Sequence, residues 1–97
     1  MKELDLILNN QTVFLKFLKS RYALIHKSNL FFRDLHYGTM AYLREHGMKH
    51  KYQFAEKIAS ELGAKFEQNG LFKRVDGRTW MLNYPEFALP RGEKRAV

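Results

Sequence analysis

The chain has 97 residues, of which 45% are hydrophobic, and its formal charge is +7. This length suits one domain with a core of its own, and the absence of cysteine excludes disulfides, thiolate metal sites and a cysteine nucleophile. Glu3 and Asp5 interrupt the apolar run from Met1 to Leu8, and the apolar stretches are short, so we expect neither a secretory signal nor a membrane span. The sequence therefore predicts a cytoplasmic protein with no membrane partner, and its charge favours a polyanion such as nucleic acid.

The first predicted element is a long helix with an apolar stripe from Leu4 to Ile25. We expect a break near Asn10, where either Asn10 or Thr12 caps a second piece. The apolar side covers more than half of the circumference, which indicates either a central core helix or a homodimer interface. Of these two, we favour the homodimer.

A second helix is predicted to begin after Ser28 or Asn29 and to run to about His46. Gly38 inside it costs about 1 kcal/mol relative to alanine. That cost indicates that another backbone packs closely there, or that the helix kinks. Gly47 is expected to end the helix in a left-handed conformation.

A third helix is predicted from about Tyr52 to Gln68, because apolar residues recur every four positions from Phe54 to Phe66. An alternative interpretation exists, since the segment 55–63 resembles the first helix and turn of an ordinary helix-turn-helix. Residues 64–69 are too few for a complete recognition helix, so we place Gly63 inside one continuous helix.

The segments 71–75 and 78–82 are rich in strand-forming residues and flank Asp76-Gly77. This pattern predicts a β-hairpin with a type I′ turn. The pairs across it would be Val75 with Arg78, Arg74 with Thr79, Lys73 with Trp80, and Phe72 with Met81.

The segment 84–87 is expected to pack back across the domain. The domain would therefore span residues 1–87, and residues 88–97 would form a basic, disordered tail.

The predicted fold is therefore α+β and mainly α, with three helices followed by a two-stranded β-hairpin. This order resembles a winged helix-turn-helix domain over about residues 28–84. The segment from Glu67 to Trp80 carries the resemblance, because a helix end leads into a Gly-Leu-hydrophobic-Lys-Arg step, a turn and a returning strand. The resemblance implies that the third helix enters a groove of DNA and that the hairpin, or wing, touches the backbone or the minor groove.

Cations that can neutralise phosphates, and one amide that can read a base edge, are the candidate binding residues. They lie on the hairpin (Lys73, Arg74, Arg78), on or before the third helix (Lys49, Lys51, Gln53, Lys57) and on the first helix (Lys16, Lys19). Glu56, Glu61 and Glu67 on the third helix would repel phosphates. We therefore expect backbone-dominated contact of modest specificity, with DNA favoured over RNA, in a small regulator or accessory factor.

No catalytic motif is present, and we expect neither an enzyme nor a cofactor. His46 and His50 are four residues apart, but Gly47 should break the helix that would align them, so no metal site is expected. The alternative function is a non-catalytic protein-interaction module that has the same fold and uses the apolar first helix as its partner surface. The acidic third helix suits this alternative better than it suits DNA.

Overall fold

A computed structural model describes residues 2–89 of the chain. It contains α1 (Lys2–Leu8), α2 (Gln11–Arg21), β1 (Asn29–Phe31), α3 (Phe32–Glu45), α4 (Tyr52–Gln68), β2 (Phe72–Asp76), β3 (Thr79–Leu82) and a 3-10 turn, Pro85–Phe87. The prediction of an α+β fold made mainly of helices is confirmed. The expected count of three helices and two strands is wrong, because the first helix is two helices and the sheet has a third strand. No helix among the described residues is long and apolar enough to cross a membrane.

The break in the first helix lies at Asn9-Asn10, as predicted. Asn10 occupies the N-cap position of α2, but its side chain does not cap that helix. The Asn10 side-chain amide instead donates a hydrogen bond of 2.9 Å to the carbonyl of Leu6 in α1. Asn10 therefore connects the two helices, because its backbone begins α2 and its side chain is hydrogen-bonded to α1.

The apolar side of α1 and α2 belongs to the core of the chain itself. The buried residues of these two helices are Glu3, Leu4, Ile7, Phe14, Leu15 and Leu18. Val13 is the large apolar residue of this pair of helices that remains exposed. The wide apolar side of the predicted first helix was expected to form either part of the core or a homodimer interface. Burial within the chain's own core accounts for the apolar residues of α1 and α2 named above.

Strand β1 was not predicted, and it delays the start of the second helix to Phe32. It is three residues long and pairs with β3, with Leu30 opposite Trp80. Three residues carry no detectable period, so this strand is defined by its partner and not by local sequence.

Gly38 of α3 lies against Leu18 of α2 so closely that a Cβ atom there would clash with the leucine side chain. The packing at this glycine is close, but it is made by the side chains of Leu18 and Tyr22 and not by the backbone that was predicted. Helix α3 then ends as predicted, because Gly47 has a φ of 79° and Met48 donates its backbone N–H to the carbonyl of Leu43.

Helix α4 has the predicted bounds, Tyr52–Gln68, and Gly63 lies inside it. The hairpin that follows differs by one residue from its predicted register. Its pairs are Phe72 with Leu82, Lys73 with Met81, Arg74 with Trp80, and Asp76 with Thr79, with a bulge at Val75. The two-residue loop is therefore Gly77-Arg78, not Asp76-Gly77.

The side chain of Asp76 explains the shifted turn. Its Oδ1 accepts a 2.9 Å hydrogen bond from the backbone N–H of Arg78, which is the local bond that lets an aspartate form a turn. Asp76, Gly77 and Arg78 have no positive φ, so the expected type I′ turn, which needs two, is wrong.

The sheet has the strand order β1-β3-β2. Because side chains alternate along a strand, one face carries Leu30, Phe72, Arg74, Trp80 and Leu82, and this face packs on α4. The other face carries Asn29, Phe31, Lys73, Thr79 and Met81.

The segment after β3 returns to the body of the domain. Phe87 is buried, and its carbonyl accepts the backbone N–H of His26 at 3.0 Å. The imidazole Nδ1 of the same histidine accepts the backbone N–H of Tyr84 at 3.0 Å. Of the predicted tail, Ala88 and Leu89 are described, and residues 90–97 lie outside the described residues.

Candidate nucleic-acid interface

A concave surface lies between the first half of α4 and the hairpin turn. Its wider part, here called the aromatic cleft, is an open cavity of about 470 Å³. The cleft is lined by Phe31, Phe32, Arg33, His36, Tyr37, Tyr52, Glu56 and Arg78. Its narrower continuation, here called the α4–hairpin groove, has a volume of about 230 Å³ and is lined by Phe32, Glu56, Ser60, Arg74, Gly77 and Arg78. The two parts are adjacent, because Phe32, Glu56 and Arg78 line both of them.

Arg74 is fully engaged within the chain. Its guanidinium forms a two-pronged pair with Glu67, at 2.7 Å from Nη2 to Oε1 and 3.3 Å from Nε to Oε2. The indole N–H of Trp80 donates to the same carboxylate at 3.3 Å. The hydrogen bonds from Arg74 and Trp80 lower the pKa of Glu67, and the bond to Glu67 raises the pKa of Arg74. Arg74 therefore fastens the hairpin to α4.

The other two hairpin cations point in different directions. Lys73 lies on the sheet face opposite to Arg74, away from α4. Arg78 lines both the cleft and the groove, with its guanidinium carbon 5.4 Å from the centre of the Phe32 ring. The three cations that sequence reasoning grouped together thus do not form one cluster.

Arg78 and Arg33 are the cations of the aromatic cleft, and neither has an acidic partner among the described residues. Within residues 2–89 the acidic side chains that contact a basic one are Glu67, beside Arg74, and Glu3, beside His50. Both arginines are exposed at the rim of the aromatic cleft. They are therefore free to meet an anion that enters it.

Helix α4 presents polar side chains beside this surface. Gln53, Lys57 and Ser60 are exposed, and Ser60 lines the groove. The acidity of the helix is smaller than the sequence indicates, because Glu67 is neutralised by Arg74. Glu56 remains in the cleft without an ion pair among the described residues.

Lys51 and Lys49 lie at the beginning of α4. Lys51 occupies the N-cap position, and Lys49 lines a small hollow beside His50 in the preceding loop. Both side chains are exposed. They add positive charge at a helix end that is already positive through the helix dipole.

Lys19 lies away from this surface. Its ammonium donates a 3.2 Å hydrogen bond to the carbonyl of Leu24 and stands 4.9 Å from the centre of the Phe87 ring. Phe87 lies near the Leu82 end of β3, since the adjacent residues His26 and Lys27 donate their backbone N–H groups to Phe87 and Leu82. Thr79, at the hairpin turn, is about 10 Å along the strand from Leu82. Lys16 is exposed one turn earlier on α2, and the structure joins neither lysine to the groove.

Sequence reasoning missed the aromatic cleft. The cleft is built from the start of α3, the start of α4 and the hairpin turn, which are distant in sequence. One local signal was present, because Tyr37 falls off the apolar stripe of its helix and a large aromatic residue at a solvent-facing position calls for an explanation.

Comparison with known proteins found no family model, no curated protein and no solved structure that matches this chain. Its function is therefore inferred from the groove itself. Within the described part of the chain, no three histidine or acidic side chains are grouped so as to hold a metal ion.

Proposed function

We propose that this chain is a winged-helix protein that binds duplex DNA, with α4 directed into the major groove and the hairpin on the phosphate backbone. The observation that carries the proposal is the exposed polar stripe of α4 that includes Lys57 and Ser60, of which Ser60 lines the α4–hairpin groove together with Arg78. In a helix-turn-helix, exposed side chains of the second helix of the motif reach base edges. Here α4 follows α3 in that position.

The sheet supports the same fold. Strand β1 lies between α2 and α3 in sequence and pairs with β3, which ties the hairpin to the helices. The Arg74–Glu67 pair fastens the hairpin a second time, to α4. A hairpin held at two places is a rigid wing that can carry Arg78 to a fixed position relative to α4.

The charges favour contact with phosphates over extensive base recognition. Arg78 and Lys57 can release counterions from DNA, whereas Glu56 repels phosphates and can accept a hydrogen bond from the amino group of a cytosine. Along this stripe Gln53, Glu56, Lys57 and Ser60 offer side chains of the kinds that read bases, and few of them pair with a base through two hydrogen bonds. We infer binding of modest sequence specificity.

Binding to duplex DNA at several salt concentrations tests this proposal. Lys57→Gln and Arg78→Gln should each lower the slope of log affinity against log salt by about 0.9 for each phosphate that the variant no longer neutralises. Lys19→Gln, which removes the same charge near the Leu82 end of β3, is the matched control and should leave the slope unchanged. No binding at low salt, or equal slopes for all three variants, contradicts the proposal.

A protein-interaction role is the second candidate, and the structure changes where its surface would be. Phe14, Leu15 and Leu18 belong to the part of the predicted first helix that is α2 in the structure, and they are buried in the chain's own core. Phe31 and Val75 are exposed on and beside the outer part of the sheet. If a homodimer forms through this surface, Phe31→Ser should shift the mass measured by light scattering towards that of the monomer. Val13→Ser on α2 should not.

A further inference from the structure

The exposed aromatic rings of the described residues are concentrated at the aromatic cleft. Phe31, Tyr37 and Tyr52 are 51%, 44% and 48% exposed, and all three line it. A contiguous patch of exposed apolar side chains usually marks a binding site, whereas single exposed apolar residues are common on any protein surface. A cavity of about 470 Å³ also falls within the usual range for small-ligand sites.

His36 holds the tyrosine rings in position. It is buried, and its ring stacks on Tyr37 with 5.4 Å between centroids and 18° between planes. Its Nε2–H donates a 3.1 Å hydrogen bond to the backbone carbonyl of Tyr52, and the His36 and Tyr52 rings pack edge to face with 4.3 Å between their centroids. The two tyrosine rings meet edge to face, with 6.1 Å between centroids and 62° between planes, so that one ring at a time can present its face to a flat ligand. The cleft therefore offers pre-positioned rings instead of mobile ones.

The polar groups of the cleft define the kind of ligand. Arg33 and Arg78 are cations with no acidic partner among residues 2–89, so they suit an anionic group at the rim. Glu56 supplies a carboxylate that accepts hydrogen bonds from N–H groups. Exposed aromatic rings bind flat π systems by stacking.

We propose that the aromatic cleft binds one unpaired nucleotide, with its base on Tyr37 and Tyr52 and its phosphate at Arg33 and Arg78. A nucleotide combines all three required features: a flat ring, N–H donors on that ring, and an attached phosphate. The cleft opens beside the α4–hairpin groove. This inference rests on the proposed function and adds one property to it. The preferred DNA is a duplex that carries a single-stranded overhang.

The test compares three labelled DNAs by fluorescence anisotropy: a blunt duplex, the same duplex with a short single-stranded overhang, and the overhang strand alone. Wild type should bind the overhang duplex at least about fivefold more tightly than the blunt one, because removing the aromatic ring on which a base stacks weakens binding by about 5-fold to 150-fold. The double variant Tyr37→Ala with Tyr52→Ala should therefore lose most of that preference.

The matched control is the double variant Tyr37→Phe with Tyr52→Phe, which keeps both rings and should keep the preference. Both tyrosines are exposed, and circular dichroism of each variant checks that the fold persists. An equal preference for the overhang in the alanine and phenylalanine variants overturns the inference.

The three DNAs distinguish a failure of this inference from a failure of the proposed function. Binding of the overhang strand without binding of the blunt duplex removes the duplex proposal and leaves the cleft. Binding of the blunt duplex that is the same with or without an overhang leaves the duplex proposal and removes the cleft.

Competition with adenosine monophosphate and with a phosphotyrosine peptide identifies the ligand further. If the mononucleotide competes as well as the overhang strand, the cleft is a site for free nucleotides. If the phosphotyrosine peptide competes better than either, the nucleotide assignment is overturned.

Discussion

Gly63 in α4 and Trp80 in β3 pack so closely that no side chain fits between them. A Cβ atom placed on Gly63 would lie 2.6 Å from the indole ring, well inside van der Waals contact. Glycine in the interior of a helix costs about 1 kcal/mol relative to alanine. At position 63 it is needed because any side chain would prevent the hairpin from packing this closely against α4. This contact sets the distance between the two elements that form the groove.

Gly63→Ala is expected to destabilise the domain by up to about 2 kcal/mol, because overpacking costs about 1–3 kcal/mol and the better helix propensity of alanine offsets about 1 kcal/mol of that cost. Urea unfolding measures the change. In a Trp80→Phe background the ring atoms that clash are absent, so the same substitution should cost less or become neutral. An equal cost in both backgrounds would show that Trp80 is not the obstacle.

The Glu67–Arg74 pair predicts a pH dependence of stability. Hydrogen bonds from Arg74 and Trp80 lower the pKa of Glu67 below its ordinary value of 4.5. The pair therefore stabilises the folded chain above about that pH, and its contribution disappears as the pH falls through the lowered pKa. Asp76 adds a dependence of the same sign, because its bond from the Arg78 backbone lowers its pKa as well.

Glu67→Gln should consequently reduce the unfolding midpoint at neutral pH and remove part of the acid-side decline. Glu61→Gln, on the same helix but outside the pair, is the control for removing a carboxylate. The wild-type and Glu67→Gln curves should converge at acidic pH. Parallel curves from neutral to acidic pH would contradict a stabilising role for the pair.

Some elements could be predicted because their signals are local. Helix α4 has apolar residues four apart and ends at Asn69-Gly70, and both its bounds agree with the structure. Gly70 has a φ of 82°, which is the left-handed conformation that such a glycine favours. The break at Asn10 was equally local.

Other features could not be predicted because they depend on contacts between distant segments. Strand β1 gains its hydrogen bonds only by pairing with β3, and nothing in its three residues indicates this. The hairpin register was predicted from the Asp76-Gly77 dipeptide alone, but the side chain of Asp76 bonds to Arg78 and moves the turn. The cleft likewise exists only where three segments meet.

Lys73 and Arg78, the two hairpin cations that form no ion pair among the described residues, are expected to differ in their effect on DNA binding. Arg78 faces α4 across the groove, whereas Lys73 lies on the opposite sheet face. Arg78→Gln should therefore weaken binding and lower the salt slope by about 0.9 if the arginine neutralises one phosphate. Lys73→Gln should change the slope much less. A larger effect of Lys73 would mean that DNA approaches the outer face of the sheet.

The last described segment is expected to be part of the domain because of one aromatic side chain. Phe87 is 7% exposed, packs edge-on to Tyr84 with 4.8 Å between ring centroids, and lies under the ammonium of Lys19. Phe87→Ala should destabilise the chain by about 3 kcal/mol, since truncation of a buried phenylalanine leaves a cavity. Leu89→Ala, two residues later and 54% exposed, is the matched control and should change stability by less than about 0.5 kcal/mol. Chemical denaturation separates the two, and a small effect of Phe87→Ala would mean that the domain ends before the 3-10 turn.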